Sequence, residues 1–224
     1  MKIKLILIAI RGFYEKCTQT IGNSEFLTLR FLHVFINKKM KEGEVMLKLV
    51  KPSLQYKEKY KEMINEWKKY GGPFEPCIIE YDCTNPAEEL DYNAVIDVVN
   101  NYSKGNIYDY DKDYFLSSDF YFIIDENELI GMCELRHNLS AMGKEIKGNI
   151  NCGIRPSKRN KGYCQNTIKE LINIFRNKYG NIIYMCFDEG NTIMSKIANK
   201  FDFKYKKTTQ TENKNILSYN KKIL

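Results

Sequence analysis

Four cationic side chains, Arg155, Lys158, Arg159 and Lys161, fall within seven positions and lead into Gly162. An apolar, strand-like stretch over residues 148–154 precedes them. An amphipathic helix opens after them at Tyr163, with Ile168, Leu171, Ile172 and Phe175 at helical spacing. A glycine loop in that place gathers main-chain N–H groups at a helix N-terminus, where the partial positive charge favours an anion. The chemistry that fits is capture of a pyrophosphate. No G-x-x-x-x-G-K-[ST] loop is present and no G-x-G-x-x-G, so neither a Walker loop nor a dinucleotide fingerprint explains the run. What is present is R-x-x-G-x-small, on Arg159, Gly162 and Cys164.

A second group of residues suits proton transfer. Glu134 and His137 lie on an apolar strand over residues 129–139; the imidazole titrates near neutrality without tuning. Tyr184 lies on another, over residues 181–187, and Asn191 follows that strand where a helix begins. Asn191 is equally suited to capping that helix. Cys164 at a helix N-terminus raises the question of a thiol nucleophile, but no His is adjacent to it in sequence.

On these residues the chain resembles the GNAT superfamily of acyl-CoA-dependent N-acetyltransferases. Ile154, Pro156, Arg159, Gly162 and Cys164 follow the order of that family's central motif, with Cys164 where Gly or Ala is usual. Asn191 matches the Asn after the family's fifth strand, and the turn Lys200, Phe201, Asp202, Phe203 departs from it by carrying Asp for Gly. Arg136–His137 and Ile154–Arg155–Pro156–Ser157 are similar to a bacterial branch of predicted acetyltransferases. The resemblance runs from about Leu47 to the C-terminus. It implies acetyl-CoA as co-substrate, held by the main chain of Cys152, Gly153 and Ile154 and by Arg159, Asn160, Lys161, Gly162, Tyr163, Cys164 and Asn191. It implies transfer to an amine by direct attack, with Glu134, His137 and Tyr184 as candidates for base and acid. The family's usual tyrosine acid falls at Ala198 here. That departure keeps open a non-catalytic acyl-CoA sensor as the alternative.

The elements that position these residues read as a mixed α+β chain. A short strand over residues 47–50 leads to a helix from about Ser53 to Tyr70, stopped by Gly71, Gly72 and Pro73. A second helix is expected over residues 86–102, capped by Asn85. Strands over 120–124 and 129–139 flank a turn at 125–128, and residues 138–147 read as a loop. Strands over 203–208 and 216–221 close the sheet as a hairpin. Hairpins at both ends predict a GNAT-like mixed, mostly antiparallel central sheet flanked by helices.

Composition narrows the function classes. Seven Cys and two His are scattered without a C-x-x-C pair, so no metal site is expected, and free thiols suit a reducing cytoplasm. The net charge of +7 is concentrated: outside residues 1–45, 27 basic groups face 24 acidic ones. That remainder is no nucleic-acid surface. Residues 1–45 read unlike the rest. The apolar run over residues 5–10 is shorter than a signal core of roughly 7–15 residues and far below the roughly 18–20 that span a membrane. Lys41, Glu42, Gly43 and Glu44 would have almost wholly purine codons, as a translated ribosome-binding site does, and Met46 follows directly. Residues 1–45 are therefore expected to be an atypical extension from a misassigned start, with a membrane-associating tail as the rival, and 46–224 the GNAT domain. The expected partner is a small-molecule or peptide amine, with no nucleic acid and no membrane, for a monomer or homodimer. Acidic residues at 75–82 and 109–113 would suit a cationic acceptor.

Overall fold

A computed structural model describes residues 47–72, 74–76 and 91–223. The extension over residues 1–45, the proposed start at Met46, Asn85 and most of the acidic stretch at 77–82 lie outside the described residues. Strand β1 (Lys48–Val50) is followed by a 3₁₀ turn (Leu54–Tyr56) and helix α1 (Lys57–Tyr70). Then come α2 (Tyr92–Ser103), α3 (Asp109–Lys112), β2 (Ser117–Asp125), β3 (Glu128–His137) and α4 (Ala141–Ile146). Strand β4 (Ile150–Ile154), a 3₁₀ turn (Pro156–Lys158) and α5 (Tyr163–Lys178) carry the basic loop. The chain ends with β5 (Ile182–Asp188), α6 (Thr192–Lys200), β6 (Lys204–Gln210) and β7 (Asn215–Lys222).

The antiparallel expectation holds, but the strands form two sheets. One has the order β1-β2-β3-β4 and the other β5-β7-β6, all pairs antiparallel. They meet at one bridge, Gly148 with Met185, and at Asn149. The Asn149 N–H donates to Tyr184 O at 2.8 Å, while its side-chain Oδ1 accepts the Tyr184 N–H at 2.8 Å and its Nδ2 donates to Arg136 O at 2.8 Å. One amide thus ties β3 to β5 where the sheets touch.

Each face of the first sheet has its own core. Met63, Ile64 and Trp67 of α1 and Val95 and Val99 of α2 pack with Phe120, Phe122 and Met132. Ile168, Leu171, Ile172 and Phe175 of α5 pack on the other face with Ile123, Cys133, Leu135 and Ile150, and on Ile183 and Met185 of the second sheet. Strand alternation assigns the faces: neighbouring residues of a strand go to opposite cores.

Several local expectations need correction. Ser53 gives no side-chain cap; its carbonyl accepts the Tyr56 N–H at 3.0 Å and starts the 3₁₀ turn. The second helix begins at Tyr92, capped by the Asp91 carboxylate, which accepts the N–H groups of Asn93 and Ala94. Residues 138–147 contain a helix rather than only a loop, because Ser140 caps α4 through the Gly143 N–H. Gly143 is required there: a Cβ would lie 2.0 Å from Tyr114 O.

Candidate active site

The β4–α5 junction is built by glycine and by left-handed turns. Asn160 and Gly162 both have positive φ, at 60° and 82°, and Gly162 caps α5 without a side-chain acceptor. Among the described residues, nothing accepts the N–H groups of Gly162, Tyr163, Cys164 and Gln165; the first main-chain bond of α5 is Asn166 N–H to Gly162 O at 3.1 Å. These are the donors that a helix start leaves over.

The four cations of the loop divide. Arg155 is paired with Glu66 and Lys158 with Glu128. Lys161 Nζ donates to the Ser157 carbonyl at 3.0 Å. Arg159 donates Nε to Ile154 O at 3.0 Å, and its guanidinium lies 4.9 Å from the Tyr70 ring centroid and 5.8 Å from that of Trp67. Among the described residues no carboxylate forms an ion pair with Arg159 or Lys161, and Asn160 beside them is exposed. The Tyr163 hydroxyl turns away to Asp125 Oδ2 at 2.5 Å, so only its main chain belongs to the loop. Burial and that bond push the phenol above its ordinary range.

Strand β4 leaves one edge open. Asn149 O accepts from Arg136 N–H, and Arg155 N–H donates to Ile130 O, so the odd-numbered residues of this strand face β3. By alternation the N–H and C=O groups of Cys152 and Ile154 face the other edge. No strand is paired there, since β4 and β5 are terminal in their separate sheets. Gly153 is also constrained: a Cβ on it would lie 1.7 Å from Glu75 O, so the segment after α1 crosses directly over this strand. Asn151 Nδ2 donates to Glu75 Oε2 at 2.6 Å.

Glu134 lies beside Asn151 in the β3–β4 register and is fully buried. Its Oε2 accepts from Arg136 Nη2 at 2.7 Å, and Oε1 has no hydrogen-bond partner among the described residues. Arg136 also holds Lys147 O at 3.0 Å and lies 5.4 Å from the Phe115 ring centroid. Tyr184 belongs to the alternate set of β5 residues from the buried Ile183 and Met185, with Lys144 Nζ 5.8 Å from its ring centroid.

His137 is not with this group. Being three residues from Glu134 it faces α5, stacked on Tyr179 at 3.8 Å and 18°. Ser117 Oγ lies 3.2 Å from Nδ1, and Asp119 Oδ2 lies 3.7 Å from Nε2. Burial pushes its pKa below the ordinary 6.5, against the pull of Asp119. Asn191 does cap α6: its Oδ1 accepts the Met194 N–H at 3.1 Å. The free thiols of Cys152 and Cys164 share a hydrogen bond; that bond and burial push Cys152 up, while the same bond pulls Cys164 down against its burial. Ala198 is fully buried in α6, and no hydroxyl occupies its place. The Glu66 contact to the loop and the Asn149 tie carry no sequence signal of their own.

The family model of the acetyltransferase (GNAT) family matches residues 89–203, more than half of the chain. The chain belongs to the GNAT acetyltransferase family. As a GNAT protein it is an acetyl-CoA-dependent acyltransferase, and the matched span takes in β3, β4, the basic loop, α5 and α6. Solved GNAT structures share its fold. The microcin C7 self-immunity acetyltransferase, solved with acetyl-CoA and AMP, matches at TM-score 0.54 and 15% identity, covering 81% of this chain and 94% of that one. A Salmonella typhimurium acetyltransferase that modifies the N-terminal serine of ribosomal protein L7/L12 matches at TM-score 0.53 and 12% identity, over 81% and 98%. The search of curated proteins by sequence gave no match.

The open edge of β4, the unpaired N–H groups at the start of α5 and the unneutralised Arg159 and Lys161 together fit an acyl-CoA, whose pantetheine arm offers amides and whose pyrophosphate is an anion. Among the described residues no helix is long and apolar enough to cross a membrane.

Proposed function

We propose that the chain is an N-acetyltransferase that moves an acetyl group from acetyl-CoA to an amine by direct attack. The observation that carries this reading is the β4–α5 junction, where main-chain donors without acceptors among the described residues follow directly on Arg159 and Lys161. Acetyl-CoA, when bound, supplies an activated thioester. Main-chain groups of Cys152 and Ile154 hold the pantetheine arm along the open edge. The loop residues Arg159, Asn160, Lys161 and Gly162 and the first turn of α5 hold the pyrophosphate. Glu134 is the base: its unpartnered Oε1 takes the proton of the amine, directly or through one water. Arg136 keeps the carboxylate in place and compensates its charge. Tyr184 is the candidate donor of a proton to the departing thiolate. His137 supports the sheet from the opposite face, and Asn191 adds to the cofactor site only through the helix it caps.

The acceptor is a small molecule or peptide presenting an amine near Asn151 and Glu75, whose exposed carboxylate favours a cation. The protein acts in the cytoplasm as a monomer or homodimer, on no nucleic acid and with no metal. The sensor alternative draws on Ala198, which leaves α6 without the hydroxyl acid of the family. Thermal denaturation with acetyl-CoA, for the wild type and Gly162→Trp, tests the site. The wild type should be stabilised by about 3 kcal/mol at a hundredfold excess over Kd, and the variant not at all. An unchanged shift in the variant would remove the cofactor assignment. A panel of amines separates enzyme from sensor: binding without turnover on every amine favours the sensor.

A further inference from the structure

The carboxylate most engaged with the basic loop comes from neither of the elements that the loop joins. It is Glu66, on α1. Its Oε2 accepts from Arg155 Nε at 2.7 Å, from Arg155 Nη2 at 2.5 Å and from Ser157 Oγ at 3.1 Å. Its Oε1 accepts the Ser157 N–H at 2.6 Å. Arg155 in turn donates Nη1 to Leu129 O at 3.2 Å, so α1, β3 and the loop share one ion pair. The same helix touches the loop again, where Trp67 and Tyr70 flank the Arg159 guanidinium.

This arrangement sorts the loop into two parts. The 3₁₀ turn (Pro156–Lys158) is fixed to α1, with its cation neutralised and the Ser157 N–H already used. The donors left for an anion begin beyond it, at Arg159. A loop held before its ligand arrives need not be ordered at the moment of binding, which raises affinity without a direct contact. The ion pair is mostly shielded, with side-chain exposures of 15% for Arg155 and 23% for Glu66, so solvent does not fully screen it.

We propose that Glu66 is a positioning residue for the pyrophosphate end of the donor. It touches no part of the ligand; it sets the loop that does. The inference rests on reading that loop as the acetyl-CoA site. Glu66 and Arg155 stand 89 positions apart, so only folding brings them together.

The test compares wild type, Glu66→Ala and Glu66→Gln with two donors. Acetyl-CoA affinity is read by titration calorimetry, and that of S-acetylpantetheine, which has no pyrophosphate, by ligand-observed NMR. Glu66→Ala should weaken acetyl-CoA about tenfold, the loss expected for charge-assisted hydrogen bonds. Glu66→Gln keeps an acceptor for the Ser157 N–H and should fall between. S-acetylpantetheine should bind all three proteins within about twofold, since the loop does not hold it. Equal weakening of both donors would mean a general packing defect and overturn the proposal. So would unchanged acetyl-CoA affinity in both variants. The near-isosteric Glu66→Gln keeps the comparison available if Glu66→Ala does not fold. A wild type that binds no acetyl-CoA at all overturns the proposed function itself, a distinct outcome.

Discussion

Glu134 and His137 are three residues apart on one strand, and the two faces of that strand treat them differently. On the α1 side, Glu134 is buried with one oxygen on Arg136 and the other without a partner, beside the strand with the open edge. On the α5 side, His137 is enclosed by Ser117, Asp119 and a stacked Tyr179. Asp119 there is fully occupied: Lys51, Tyr179 at 2.7 Å and Tyr121 at 3.3 Å all bond it. A polar cluster whose main acceptor is satisfied from several sides serves the fold. His137 Nε2 is also buried without a hydrogen-bond partner among the described residues, so what distinguishes Glu134 is its place beside β4, and the proposed function puts the base there.

The largest effect expected from this contrast is on turnover. Glu134→Gln should lower kcat by about a hundredfold or more with a turned-over amine, while leaving acetyl-CoA affinity within about twofold. Retained kcat would move the base elsewhere, to a relayed water. On the other face the effect should be on stability alone. Asp119→Asn removes the charge that Lys51 and Tyr179 share, at a cost of about 2 kcal/mol by urea denaturation, with acetyl-CoA affinity unchanged. A loss of donor binding there would erase the distinction between the faces.

The smallest expected effect concerns pH. Burial holds the folded-state pKa of His137 below 6.5, its unfolded value, so between the two the unfolded chain binds the extra proton. Stability therefore falls as pH drops below about 6.5 and levels off below the folded value. His137→Gln should flatten this slope between about pH 7 and about pH 5. The lowered pKa of Asp119, caused by its bonds to Lys51 and Tyr179 against burial, acts in a separate window: its stabilising effect is lost only as pH falls below 3.8. A slope that persists in the His137 variant would assign it to other groups.

Much of this architecture was legible in the residues. Gly162 and Pro156 punctuate the junction, and the apolar positions of α5 fix which face it buries. The separation of Glu134 from His137 was legible too, through the parity of strand positions, once both were assigned to one strand. Other features were not. Helix α4 is six residues long with a glycine inside, too short for periodicity to reveal. That Lys158 and Arg155 are neutralised, leaving Arg159 and Lys161, depends on Glu128 and Glu66, which lie 30 and 89 positions away. The join between the sheets rests on Asn149, an ordinary polar residue whose four bonds exist only in the folded chain.

That tie has a consequence measured in length. Because the sheets are joined at Asn149 and are separate beyond it, β4 keeps an edge, unpaired among the described residues, that ends at this tie. From Asn151 to the loop at Arg155 the edge is roughly 13 Å long, at about 3.3 Å per residue. The donor placed by the proposed function, anchored by its phosphates at α5 and laid along that edge, would reach the Asn149 tie at its far end.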